Sequence, residues 1–438
     1  MVEVVYFGGG YVALTASVHF AKAKIPTIIY DIDPTVVTGI NRGNPRGREF
    51  LSYLHTDVSI LVNKGLLRAT HNLTDLAGKT NFILAVPSER KGEIWLDPIF
   101  ESVEKIVRLS ETPPTILIES TIPPGTTDKI IERLHNQFNV QVGEDYFLAV
   151  CPRKDWFADQ EKNVTTLPRI VGGVTEQCTE RALDILQNIS HDIRTATYKV
   201  AEFTKSIENS LFHSHIAYGH QLALAFPDKD IATALELACL HWRLPKLYLG
   251  FGTAGRCVPM GTKALLNSLY DGAPTRVKNS SLSLGVAALD TDLILRTRII
   301  DAVKLYYQRN KNSRIMIMGL GYRPDFADTG LSPGLEIAQR LTSFGFPVVV
   351  HDTLYSAIEI KKNWGLEFLP LSELPSCDLI LLATPHSSYL PLPHSATLWR
   401  SGQTILDANG VWNGCRKLFA EKGVMYKRVG DAGWLNIK

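Results

Sequence analysis

A chain of 438 residues, 45% hydrophobic and 21% charged, has the size of two or three domains with substantial cores. Its formal net charge of +2 offers no bulk attraction for nucleic acid or an anionic membrane. It contains no run of about 18 apolar residues that would predict a membrane-spanning helix.

The first residues, Met-Val-Glu-Val-Val-Tyr-Phe-Gly, enter a strand at once and read as no signal peptide. Residues 2–7 form an apolar strand, a glycine turn follows at 8–10, and an apolar helix runs over about 11–22. A second strand, Thr27–Tyr30, ends at Asp31. Buried strands are expected at Asn81–Val86, Thr115–Glu119 and Tyr146–Val150, with helices around 97–109 and 127–136. Such alternation predicts a parallel sheet in an α/β domain. From about 200 to 224 the pattern is helical, and 230–242 reads as a second helix. The polar, Ser-rich residues 275–282 read as a loop. A long amphipathic helix over about 286–308 would serve as a spine. At 313 the theme restarts: strand Arg314–Met318, Gly319-Leu320-Gly321, a helix near 334–344, and strand Pro347–His351 ending at Asp352. Leu379–Ala383 and Thr404–Asp407 are two more strands. The fold class expected is α/β: two Rossmann-like, doubly wound parallel-sheet domains, 1–199 and 311–438, joined by a helical segment at 200–310. The six cysteines, at 151, 178, 239, 257, 377 and 415, show neither paired nor metal-ligand spacing, which implies free thiols in a reducing cytoplasm and no metal.

Gly8-Gly9-Gly10-Tyr11-Val12-Ala13 fits G-x-G-x-x-A. Gly8 would make the tight turn, Gly10 would admit a pyrophosphate, and Ala13 would let helix and strand pack closely. The phosphates would rest on the helix N-terminus, against the backbone of Tyr11 and Val12. Asp31, about 20 residues on, would bond the ribose hydroxyls and repel a 2′-phosphate, so NAD is the cofactor expected.

The second chemical signal is Cys257, in Gly250-Phe-Gly-Thr-Ala-Gly-Arg-Cys-Val-Pro259. Glycines before the thiol, Gly252 among them, let a substrate approach closely. Arg256 beside it would favour the thiolate, the reactive form. A reactive thiol on a dinucleotide-binding chain points to oxidation through a thiohemiacetal and a thioester.

Together with this loop, three further segments resemble the UDP-glucose/GDP-mannose dehydrogenase family. They are Glu119-Ser-Thr-Ile-Pro-Pro-Gly-Thr-Thr127, Ala201-Glu-Phe-Thr-Lys-Ser-Ile-Glu-Asn209, and Gly319-Leu-Gly-Tyr-Arg-Pro-Asp325 through Asp328 to Ser332-Pro333. Leu167–Gly173 and Asp407–Trp412 also fit, so the resemblance spans the chain in order. It implies oxidation of the C6 alcohol of a nucleotide sugar to a carboxylate with two NAD. It further implies an N-terminal NAD domain, a C-terminal nucleotide domain and a homodimer made by the central helices. By the same resemblance Cys257 is the nucleophile, Lys205 and Asn209 stabilise the oxyanion from one helix face, and Thr121 positions water or nicotinamide. Ser88 falls where a cofactor-contacting Thr is found, Arg323 matches a residue that contacts substrate phosphate, and Arg243 matches one that reaches a neighbouring subunit's site.

Three positions depart from the family pattern. Gly261 stands where Asp is expected in C-x-x-x-D, Arg153 replaces Glu in S-P-E, and Gly330 replaces Arg in R-x-S-P. The first two acids serve water activation, so hydride transfer is expected to persist while thioester hydrolysis is slowed or rerouted. Asp155 or Glu202 could substitute. The thioester could also pass to a nucleophile other than water, or oxidation could stop after two electrons. Arg153 could favour an extra anionic group on the substrate. A diverged oxidoreductase acting on another phosphorylated alcohol, and a non-catalytic nucleotide sensor, are the alternatives.

Overall fold

A computed structural model describes residues 2–45, 56–156, 159, 161–268 and 282–437. The expected loop at 275–282 therefore lies, apart from Leu282, outside the described residues. The chain divides into two compact units: residues 1–208 with 263–271, and residues 209–262 with 272–438.

The first unit runs β1 (Val4–Phe7), α1 (Tyr11–Lys22), β2 (Thr27–Tyr30), α2 (Pro34–Asn41), α3 (Val58–Asn63), β3 (Leu67–Thr70) and β4 (Asn81–Leu84). A small ladder, β5 (Glu89–Arg90) with β6 (Glu93–Ile94), precedes α4 (Asp97–Leu109), β7 (Thr115–Ile118), α5 (Thr126–Phe138) and β8 (Phe147–Val150). Then follow β9 (Arg169–Gly173), α6 (Glu176–Leu186) and β10 (Ile193–Thr197). The sheet order is β10-β9-β8-β7-β4-β1-β2-β3, parallel except between β8 and β9. Its strands β1, β2, β7 and β8 are buried at every position because helices cover both faces. In β1, Val4 and Tyr6 join one core layer while Val5 and Phe7 join the other, as the two-residue strand period requires.

The division between the units falls inside α7 (Tyr198–Ala225). Next come α8 (Ile231–Ala238), α9 (Cys257–Asn267) and α10 (Ser283–Arg309). The second unit closes with β11 (Ile315–Met318), α11 (Pro333–Ser343), β12 (Val348–His351), α12 (Ala357–Trp364), β13 (Glu367–Phe368), β14 (Leu379–Leu382), β15 (Thr404–Asp407), α13 (Arg416–Glu421) and β16 (Met425–Arg428). Its six-stranded sheet, β13-β12-β11-β14-β15-β16, is wholly parallel. Ile315 and Ile317 pack on one face, and Met316 and Met318 on the other.

Each sheet starts in the middle, winds outward one way, then reverses. The reversal lies between β1 and β4 in the first and between β11 and β14 in the second. Such switch points open a crevice at the strands' carboxyl ends. The two crevices share a local design. Gly8 after β1 has φ +97°, and a Cβ there would fall 2.6 Å from the Ala85 carbonyl oxygen. Gly319 after β11 has φ +89°, with the Thr384 carbonyl oxygen at 2.3 Å. In both cases the exit of the fourth strand leaves no room for a side chain. The acid ending the second strand staples each loop: Asp31 accepts the Gly9 N–H at 2.6 Å, and Asp352 the Leu320 N–H at 2.6 Å.

Candidate active site

Four neighbouring strands of the first sheet, β7-β4-β1-β2, carry the predicted cofactor residues at their exits. Gly8 to Gly10 follow β1, Asp31 follows β2, and Ser88 and Thr121 lie just beyond β4 and β7. Gly10 caps α1, and a Cβ on it would meet nothing within 4 Å. The first turn of α1 holds no acid, and its cap makes no side-chain bond. This bare terminus, presenting the backbone of Tyr11 and Val12, suits an anion. Asp31 uses one oxygen on Gly9 N–H and the other on Asp33 N–H, at 2.8 Å. A carboxylate offers about four lone-pair positions, so a ribose hydroxyl can still be accepted. The residues present therefore fit NAD. Ser120 Oγ donates to the Val86 carbonyl at 2.8 Å, tying the exits of β7 and β4 beside Thr121.

Arg153 does not face a substrate. It is buried and clasps the cofactor helix, with Nη1 donating to the Val12 carbonyl and to Glu119, both at 3.0 Å. Nη2 donates to Thr15 Oγ1 at 3.2 Å, and Nε donates to Asp155 at 2.8 Å. Glu119 also accepts from Arg169 at 2.6 Å. Neither proposed substitute base is available. Burial opposes the charge on Asp155, but Arg153 outweighs it and holds the carboxyl below its ordinary range. Glu202 is 1% exposed and spends its oxygens on Gly125 N–H at 2.7 Å, Thr127 N–H at 2.8 Å and the Thr127 hydroxyl. It thereby caps α5, while burial raises its pKa against the lowering effect of those bonds. Lys205 keeps part of its side chain exposed, and Glu208, which also pairs with Lys154, stands 4.0 Å away.

Lys205 and Asn209 fall four residues apart in α7, as the helical spacing requires. Within the second unit, Asn209 is 7% exposed and its Nδ2 has no partner. A Cβ on Gly261 would lie 2.3 Å from Asn209 Cβ and 2.7 Å from Nδ2. Cys257 is an exposed free thiol and the first residue of α9. The loop before it needs its glycines: Gly252 has φ +117°, and Gly255, at φ +83°, would put a Cβ 2.9 Å from the Tyr322 ring. Gly252, Ala254, Tyr322, Arg323, Thr384 and Asn409 line a solvent-open cleft. Arg323 stacks 4.1 Å over the Phe326 ring there. Arg243 is not among the residues lining this cleft; its guanidinium lies 4.7 Å over exposed Trp242.

Two arrangements around Cys257 were not anticipated. Arg256 donates to both oxygens of Asp328, at 3.0 and 2.7 Å, so its charge is matched rather than left for the thiol. Its guanidinium fills the space a side chain at 330 would need, since a Cβ on Gly330 would lie 2.3 Å from Arg256 Cζ. The second is a buried cluster of His213, Thr262 and Asp292. Asp292 sits on the buried stripe of α10 with Gly285, Ala288, Leu295 and Ile299. A charged residue on a buried stripe must be partnered, and that was the legible signal.

The sequence profile of the UDP-glucose/GDP-mannose dehydrogenase family, NAD binding domain, matches residues 2–190, and that of its UDP binding domain matches residues 316–414. Among similar proteins, UDP-N-acetyl-D-mannosamine dehydrogenase of Campylobacter jejuni is 27% identical over 405 residues, 89% of this chain and 96% of that protein. UDP-N-acetyl-D-glucosamine 6-dehydrogenase of Pseudomonas aeruginosa is 24% identical over 397 residues, 88% of this chain and 91% of the other. The solved structure of the UDP-D-ManNAc dehydrogenase from Pyrococcus horikoshii shares the fold, with TM-score 0.82 and 21% identity over 98% of this chain and all of that one.

Proposed function

The chain belongs to the UDP-glucose/GDP-mannose dehydrogenase family, and from that premise we propose that it oxidises the C6 alcohol of a UDP-sugar through a covalent intermediate on Cys257. It is an NAD-dependent nucleotide-sugar dehydrogenase, an oxidoreductase acting on a CH–OH donor. The relatives named above act on UDP-N-acetylhexosamines, and that is the substrate class we assign. The observation that carries the covalent reading is Cys257: a free, exposed thiol heading a helix behind a loop whose glycines admit a ligand.

NAD, when bound, accepts a hydride in each of two oxidations. In the first, the alcohol loses a proton and a hydride and becomes an aldehyde. Lys205 and Asn209 hold the oxygen as it gains negative charge. Cys257 Sγ then adds to the aldehyde carbon, forming a C–S bond, and the thiohemiacetal loses its hydride to become a thioester. Water breaks the C–S bond, freeing the carboxylate and the thiol. This last stage is the slow one. Arg153 and Gly261 supply no carboxylate, and Asp155 and Glu202 are committed elsewhere. Loss of a general base costs about 10²–10⁴-fold.

We assign NAD binding to residues 1–199, subunit pairing to 200–310 and UDP binding to 311–438. Val200, Phe203, Ile207, Leu211 and Tyr218, each more than 40% exposed, form an apolar stripe along α7 that supports a homodimer. Six free cysteines support a reducing, cytoplasmic setting. The test is NADH counted per mole of sugar across UDP-N-acetylmannosamine, UDP-N-acetylglucosamine and UDP-glucose. Two NADH with an N-acetylhexosamine donor are expected, and no NADH with any of the three would refute the reading.

A further inference from the structure

The geometry points to His213, Thr262 and Asp292 as a buried brace that sets the position of Cys257, with His213 and Thr262 as positioning residues for the nucleophile. The inference rests on Cys257 being the nucleophile, as proposed above. All three side chains are essentially inaccessible, at 0%, 0% and 2% exposure, so none of them can meet a substrate. They come from three elements, α7, α9 and α10.

Asp292 divides its two oxygens. Oδ1 accepts the backbone N–H of Thr253 at 2.7 Å, in the loop ahead of the nucleophile. Oδ2 stands 3.0 Å from His213 Nε2. A carboxylate only accepts, so Nε2 carries the hydrogen. Nδ1 is hydrogen-bonded to the Thr262 hydroxyl, 2.9 Å away on the helix that Cys257 begins. One carboxylate thus holds the backbone on both sides of Cys257, directly before it and through His213 after it. The same imidazole ties that helix to α7, one turn beyond Asn209. Gly252, at φ +117°, packs with its Cβ position 3.3 Å from Asp292 Oδ1, so the loop lies flush on the carboxylate.

This arrangement bears on the bare position 261. Gly261 and Asn209 approach too closely for any side chain at 261. That approach is what brings the next residue, Thr262, within hydrogen-bond distance of His213. The carboxylate serving the nucleophile's segment therefore comes from α10 and acts through hydrogen bonds, without reaching the reacting atoms. His220 and Arg296 also lie near this cluster, and burial holds His220 at a pKa of about 4, in the neutral form.

The test compares Thr262→Ser, which keeps the hydroxyl, with Thr262→Val, which keeps the shape. The first readout is the rate of carbamidomethylation at Cys257 by iodoacetamide, followed by peptide mass spectrometry on the full chain. It needs neither substrate nor NAD, so it stands even if the proposed oxidation fails. The second is kcat against KM for NAD. Thr262→Ser is expected within about twofold of wild type. Thr262→Val should lower the alkylation rate and kcat by about tenfold or more, the scale of one buried hydrogen bond lost, with KM for NAD unchanged. His213→Gln, which keeps an N–H toward Asp292 and loses the bond to Thr262, should match Thr262→Val. A Thr262→Val protein with wild-type alkylation, or a Thr262→Ser protein as impaired as Thr262→Val, would overturn the brace.

Discussion

Gly261 lies inside α9, where replacing glycine by alanine ordinarily stabilises a helix by about 0.5–1 kcal/mol. Here the sign should reverse. The new Cβ would lie 2.3 Å from Asn209 Cβ, 2.7 Å from Nδ2 and 2.9 Å from Cγ, whereas nonbonded carbons rest about 3.5–4.0 Å apart. The nearest of them, Cβ, is fixed to its helix backbone and cannot swing aside, so the helices must part by about 1 Å or more. The His213–Thr262 bond at 2.9 Å opposes that movement. Overpacking of this kind costs about 1–3 kcal/mol, which in a body of this size lowers the melting temperature by roughly 2–10 °C. Gly261→Asp adds the burial of a charge and should be worse. Restoring the acid expected from the family pattern thus damages the site instead of speeding thioester hydrolysis. Calorimetry of both variants, with stopped-flow NADH formation, checks this. A melting temperature of Gly261→Ala at or above wild type, or faster thioester release in Gly261→Asp, would refute the reasoning.

Gly330→Ala presents an equally short distance with a different outcome. The atoms it meets are the tip of Arg256, which is 46% exposed on its side chain and can swing away. An exposed ion pair is worth about 0–1 kcal/mol, so the melting temperature should move by less than about 4 °C. A larger loss would show that Arg256 is held more firmly than its exposure implies. Arg153→Glu places a third carboxylate beside Glu119 and Asp155 and removes their cation; a loss of about 3–5 kcal/mol in urea unfolding is expected, and a stable variant with faster product release would contradict the clasp. Burial holds His220 and His351 at a pKa of about 4, below the ordinary 6.5. The unfolded chain then binds more protons than the folded one between about pH 6.5 and 4, so stability should fall as pH drops through that window and stay level above it. A melting temperature flat from pH 7 to pH 4.5 would contradict these assignments.

The sheet cores were legible because a strand buried on both faces is apolar throughout, as in Val4–Phe7 and Leu379–Leu382. The strands not expected from the sequence include Leu67–Thr70, Ile193–Thr197, Glu367–Phe368 and Met425–Arg428, which mix polar with apolar residues, and all four close a sheet edge. The second central helix ends at Ala238 and not near 242. Pro245 lies beyond it, and proline disfavours helix in the residue before it, while Leu240 and Trp242 face solvent. Of the site, glycines and charged residues at fixed spacing could be read from the chain. The commitments of Arg153 and Glu202 could not, because their partners lie far off in sequence: Val12 and Glu119 for the first, Gly125 and Thr127 for the second.

The central claim is a covalent oxidation at Cys257 whose thioester is released slowly. The direct measurement is intact-protein mass spectrometry after rapid acid quench of the enzyme with NAD and UDP-N-acetylmannosamine, with NADH absorbance recorded alongside. The account predicts a burst approaching two NADH per active site, an adduct of the sugar-nucleotide acyl mass mapping to Cys257, and no adduct in Cys257→Ser. Steady NADH formation with no adduct, or turnover unchanged in Cys257→Ser, would contradict it.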